Sequence, residues 1–195
     1  MADDLRGKVF SALTGRRNAD VSGSSRGDLR GQLVAAFGSS KRDPSKPDTA
    51  AAAKGLGVSQ RTVQRWLAPS SKQHQKPKAE TLKKLTTRAR QAATTKAGRA
   101  RALAQTLTAK GTPPAMRFTV AGNQGTEPQY HRPRTVNFDL DDPQHAQAFI
   151  DAYVDGGERG ALDYLAKNAD EIYGVPGWSF GDVTNVDLSG PYGRN

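Results

Sequence analysis

The stretch that most constrains this chain is Gly57-Val58-Ser59-Gln60-Arg61-Thr62-Val63-Gln64-Arg65-Trp66-Leu67. A glycine here admits the left-handed backbone that a sharp turn between helices requires. Ser59 follows where a hydroxyl accepts from the free amides of a new helix. Val58, just outside that cap, and Val63, just inside the helix, sit where a hydrophobic staple closes. Val63 and Leu67 are four apart and share one face. Gln60, Arg61, Gln64 and Arg65 are left pointing away from it, with donors and charge suited to base edges and phosphates. Turn, cap, staple and polar face predict the turn and second helix of a helix-turn-helix, in which Ser59, Gln60, Arg61, Thr62, Gln64 and Arg65 face DNA. An ordinary helical hairpin with a solvated face is the plainer alternative.

The flanking segments supply the other helices such a domain needs. Asp28 to Phe37 has apolar residues at 29, 33, 34 and 37, with Gly38 as a stop. Pro44 and Pro47 break the chain, and Thr49 opens an alanine-rich helix that runs into Gly57. This makes 28–68 the predicted DNA-binding domain. Before it, residues 3–14 have Leu5, Val9, Phe10 and Leu13 at helical spacing, and Arg16 to Arg26 reads as a linker. Residues 1–27 are therefore expected to be a mobile N-terminal segment.

A polar loop, Pro69 to Pro77, precedes a helix from Lys78 to about Ala93 with an apolar stripe of Leu82, Leu85 and Ala89. Lys83, Lys84, Arg88 and Arg90 occupy its other faces, and Lys96 to Leu107 continues in the same basic vein. Residues 69–111 are expected to form a basic helical extension adding sequence-independent phosphate contacts.

Charge then changes sign. Residues 1–111 hold 23 Lys and Arg against 7 Asp and Glu, whereas 112–195 hold 6 against 12. The basic half suits a polyanion, and the acidic half, repelled by phosphates, a protein partner or a second copy of itself. Gly111-Thr112-Pro113-Pro114 marks the boundary, and beyond it the periodicity becomes that of strands. Met116 to Val120 alternates, as does Arg134 to Leu140. Asp142-Pro143 starts a helix carrying Ala146, Phe149, Ile150 and Tyr153, ended by Gly156-Gly157. A second helix, Glu158 to Ile172, and a strand, Ser179 to Leu188, complete it. The predicted fold class is α+β in two parts: an all-α N-terminal half and a small β-β-α-α-β domain over 112–190.

Self-sufficient catalysis is not indicated. His74, His131 and His145 are scattered, and cysteine is absent, which excludes disulfides and thiolate metal sites. No phosphate loop, nucleophile elbow or dinucleotide fingerprint occurs. No apolar run spans a bilayer and the start lacks a signal pattern, so a cytoplasmic, nucleoid-associated protein without a membrane partner is expected. The segment that draws attention is Gly122 to Arg134, a long loop between strands with an aromatic–basic end at Tyr130-His131-Arg132-Pro133-Arg134. It reads either as a spacer or as a presenter of a hydroxyl, Thr126 or Tyr130.

The string Gly55-Leu56-Gly57-Val58-Ser59-Gln60-Arg61-Thr62-Val63-Gln64-Arg65 resembles the helix-turn-helix of telomere terminal proteins of Streptomyces-type linear chromosomes and plasmids. The basic helix ending at Arg88-Ala89-Arg90-Gln91-Ala92-Ala93-Thr94 and a tail closing with Glu171-Ile172-Tyr173-Gly174 and an acidic strand are similar in order. The resemblance implies a protein that binds telomere ends, including a single-stranded 3′ overhang. Such a protein primes synthesis from a threonine hydroxyl and stays attached to the 5′ end. The matching position is Thr126, with Thr119 and Tyr130 as alternatives. The resemblance further implies a DNA polymerase that supplies Mg²⁺ and dNTP in its own site, and a telomere-associated replication protein. The terminal protein itself needs no cofactor or metal. The rival readings are a helix-turn-helix regulator with a dimerising or ligand-binding tail, and a recombinase-like enzyme using Tyr130.

Overall fold

The computed structural model describes residues 2–69, 75–104 and 115–189. Among them are eight α-helices and one three-stranded antiparallel sheet, an α+β fold. The boundary at 111–114, most of the 69–77 loop with His74, and the end of the 96–107 segment lie outside the described residues.

The helical half comprises α1 (Ala2–Thr14), α2 (Leu29–Phe37), α3 (Thr49–Leu56), α4 (Gln60–Leu67), α5 (Ala79–Thr94) and α6 (Lys96–Ala104). Aspartates start two of these: Asp28 accepts from the amides of Arg30 and Gly31, and Asp48 from those of Ala50 and Ala51. Two apolar clusters hold the half together. Leu33, Ala52, Ala53, Leu56, Val63, Trp66 and Leu85 form one, beneath α3 and α4. Phe10, Val21, Ala35, Ala89, Ala92, Ala93 and Ala102 form the other. Since α5 contributes to both, the segment expected as an extension is a structural member of the helical core.

Residues 1–27 also depart from expectation. Val9, Phe10 and Leu13 of α1 are fully buried. Arg16, expected in a mobile linker, is buried, donates to the Ala35 carbonyl at 2.6 Å and lies over the Phe10 ring. Burial lowers its pKa to about 10. Within 15–27, Arg16 and Val21 are buried and pin a segment whose serines stay exposed.

The sheet has the order β2-β1-β3, from β1 (Met116–Gly125), β2 (Arg132–Leu140) and β3 (Ser179–Ser189). Opposed pairs Phe118–Phe138 and Val120–Val136 on one side, and Val120–Val186 on the other, put one apolar face against the helices. The opposite face carries Arg117 paired with Asp139 and the Thr119 hydroxyl donating to Asn137. At Gly122 the β1–β3 register shifts, and a Cβ there would lie 2.0 Å from the Asp182 carbonyl, so only glycine fits. Ala146, Phe149, Ile150 and Tyr153 of α7 (Pro143–Lys167) fill the core as their spacing predicts.

The double glycine acts as a break inside α7, where Gly157 has φ 67° and ψ −146°. The helix expected to reach Ile172 ends at Lys167 and restarts, around Asn168, as α8 (Ala169–Tyr173). The inter-strand loop is shorter than expected, because β1 runs on to Gly125 and β2 begins at Arg132. No described helix is long and apolar enough to cross a membrane.

Candidate nucleic-acid interface

Two surfaces gather exposed basic and polar side chains. The first is built by α3, Gly57 and α4. Gly57 adopts φ 70° and ψ 35°, the left-handed conformation its place demanded, and its amide caps α3 through the Ala53 carbonyl. The Ser59 hydroxyl accepts from the Thr62 amide at 3.1 Å and meets the Thr62 hydroxyl at 2.8 Å. Those two side chains are occupied in starting the helix. The buried stripe runs through Val63 and Trp66, with Leu67 only partly covered, because positions three apart bring the large indole onto the core. Gln60, Arg61, Gln64 and Arg65 line one shallow concavity with Ala68. Gln60 also donates to the Thr49 hydroxyl at 3.0 Å, tying the start of α4 to the start of α3.

Beside this surface lies a feature the sequence did not single out. A bridge between Ser39 and Pro47 closes a loop carrying Lys41, Arg42 and Lys46. Asp43 braces it, accepting from the Ser45 hydroxyl and pairing with Lys46 at 2.7 Å. These bonds hold the Asp43 carboxyl down at about 2. A groove containing Lys41, Arg42, Thr49 and Gln60 joins the loop to α4.

The α5 basic residues divide by role. Lys83 is exposed. Lys84 pairs with Glu80 at 2.7 Å, which pulls the Glu80 pKa down. Arg88 donates to the Gly55 carbonyl at 2.8 Å and lies over the Phe37 ring, so it packs α5 onto α3. Arg90 is exposed, and its stem runs under Gly23. Arg99 is buried and donates to the carbonyls of Ala93, Val154 and Asp155 at 2.7–3.0 Å. It satisfies carbonyls at the end of the first part of α7, joining the two halves.

The second surface surrounds the end of β1. Thr126 is exposed, one residue past the strand, and its hydroxyl bonds to no described residue. Thr119 lies in mid-strand with its hydroxyl given to Asn137. Tyr130 stands on a single 3₁₀ turn, Pro128–Tyr130, with 56% of its surface exposed. Thr126, Tyr130, Arg132 and Arg134 meet Tyr173 and Trp178 around a cleft of about 350 Å³. His131 instead turns to Ser179, at 2.8 Å. Trp178 and Tyr173 come from the other end of the domain, and nothing in local spacing announced them.

Gln124 is the bracket that positions this cleft. It is fully buried, donates to the carbonyls of Val120 (2.7 Å) and Arg134 (3.1 Å), and accepts from the Trp178 indole at 3.2 Å. Among the described residues no group of three or more His, Asp or Glu is arranged to hold a metal ion. No family model, curated protein or solved structure matches the chain.

Proposed function

We propose that this protein is a DNA-end-binding terminal protein: it seats on duplex DNA through a helix-turn-helix made of α3 and α4 and presents the Thr126 hydroxyl as a primer. The observation that carries the reading is Thr126 itself. It is a solvent-facing hydroxyl just beyond a central strand, beside Arg132 and Arg134, in a domain otherwise short of cations. The left-handed turn at Gly57 and the four polar side chains on one side of α4 support the duplex-binding half.

In the proposed reaction the Thr126 oxygen attacks the α-phosphorus of a deoxynucleoside triphosphate and loses its proton. Pyrophosphate leaves, and a Thr–nucleotide phosphoester remains. An alcohol needs activation for this step, which the metal ions of a partner polymerase supply. This chain's share is to hold the hydroxyl in the open and to place it on the DNA.

The test is incubation of the full-length protein with a replication extract, Mg²⁺ and labelled deoxynucleotides. Label should enter wild type and be lost in Thr126→Val. Label surviving that change moves the site to Tyr130 or Thr119; no label from a competent extract sinks the function. A regulator with a dimerising tail is the second reading, favoured by the outer edge of β2, which no described strand covers. It predicts a palindromic internal footprint and no nucleotide transfer.

A further inference from the structure

The α4 surface and the Thr126 cleft differ in the nucleic-acid chemistry they suit. Residues on α4 offer amides and guanidinia but no exposed aromatic face, as duplex readers do. Tyr130 and Tyr173, at 56% and 46%, are the exposed large hydrophobic residues among those described, and both stand at the cleft. Exposed aromatic rings cost free energy in water and stack well on unpaired bases.

The rest of the cleft fits the same ligand. Its floor is Trp178, buried and pinned by Gln124, with the Tyr173 ring edge-on at 5.5 Å. The Arg134 guanidinium lies over the Trp178 ring at 5.6 Å. No carboxylate among the described residues pairs with Arg132 or Arg134. Arg117, by contrast, is taken by Asp139. Two unneutralised guanidinia beside three aromatic rings, in a domain with twice as many acids as bases, mark a local site for an anion attached to a flat ring. The volume, about 350 Å³, is at the small end of ligand pockets, the scale of one nucleotide.

We infer that the cleft of Tyr130, Arg132, Arg134, Tyr173 and Trp178 binds one unpaired nucleotide, base on the tyrosines and phosphate between the arginines, alongside Thr126. The shared chemistry is a nucleobase carrying phosphate, and its two sources are the unpaired end of a DNA strand and a free deoxynucleotide. The cleft's role beside a priming hydroxyl rests on the reading above; its binding of a nucleotide does not.

Fluorescence anisotropy on the full-length protein, with labelled oligo-dT, labelled dTTP and a labelled blunt duplex, tests it. Tyr130→Leu, at an exposed position, should weaken oligo-dT or dTTP binding about tenfold while leaving duplex binding unchanged. Arg134→Gln should reduce the salt dependence of oligo-dT binding by about 0.7 in log–log slope. An effect on oligo-dT identifies a strand end as the source, and an effect confined to dTTP identifies free nucleotide. If both probes bind the two variants as they bind wild type, the inference is overturned. The wild-type protein separates the two proposals: nucleotide binding by a protein that accepts no label from a competent extract leaves the cleft standing and priming fallen. Label transfer with no effect of the cleft variants does the reverse.

Discussion

Replacing Gln124 by methionine keeps the length and volume of the side chain, so no cavity opens, and removes its polar atoms. Three bonds go: donations to the Val120 and Arg134 carbonyls and acceptance from the Trp178 indole. The sharpest loss is the last, because Trp178 is 5% exposed and its bond to Gln124 is buried. A buried donor left unmet costs about 1–3 kcal/mol, and each lost neutral bond roughly 1 kcal/mol. Burial of an apolar thioether in place of an amide returns about 1–2 kcal/mol of this. The net expectation is a loss of about 2–3 kcal/mol, which lowers Tm by roughly 4–12 °C in a chain of this size. Thermal unfolding followed by circular dichroism measures it. Trp178→Phe removes the orphaned donor, so the double variant should be less destabilised than the two singles added, by about 1 kcal/mol. A Tm shift of Gln124→Met below about 2 °C, or strict additivity in the cycle, refutes the bracket role.

Three further outcomes are expected. Gly57→Ala should cost about 1–2 kcal/mol in urea unfolding from backbone strain alone, because an added Cβ at Gly57 meets nothing within 4 Å; no loss would mean the turn relaxes. Arg61→Ala and Arg65→Ala should each weaken duplex binding and lower its log–log salt slope by about 1; unchanged slopes would remove α4 from the phosphate-contacting surface. Asp43 titrates below an ordinary aspartate because of its bonds to Lys46 and Ser45. Its contribution to loop order is therefore fully present above the unfolded pKa near 4 and lost as pH falls through about 2. A carboxyl ¹³C titration with a midpoint near 4 would contradict that geometry.

What the sequence disclosed follows from the range over which each signal acts. The Gly57 turn, the Ser59 cap, the Asp142-Pro143 start and the alternating strands are local, and the backbone adopts each of them. Arg16, Arg88 and Arg99 could not be told from solvated charges, since their partners, the carbonyls of Ala35, Gly55 and Val154, lie 19, 33 and 55 residues away. Trp66 won the buried stripe over Leu67 because the larger ring has more surface to remove from water. The cleft was half legible: Thr126, Tyr130, Arg132 and Arg134 stood out as neighbours. Tyr173 and Trp178 required the antiparallel return of β3 to bring them in.

Helix α1 has a bearing on geometry at a larger scale. Val9 and Leu13 belong to the apolar core of the sheet domain, while Phe10 belongs to the α2–α5 core. The ion pair of Lys96 with Asp155 at 2.6 Å adds a second crossing beside Arg99. Under the proposed function, a molecule spliced this way acts as a ruler, with α4 and the Thr126 hydroxyl as its two marks. On that reading, the separation between a bound duplex site and the end of the strand is counted by the fold. An inserted base pair would carry the terminus out of register by both rise and rotation.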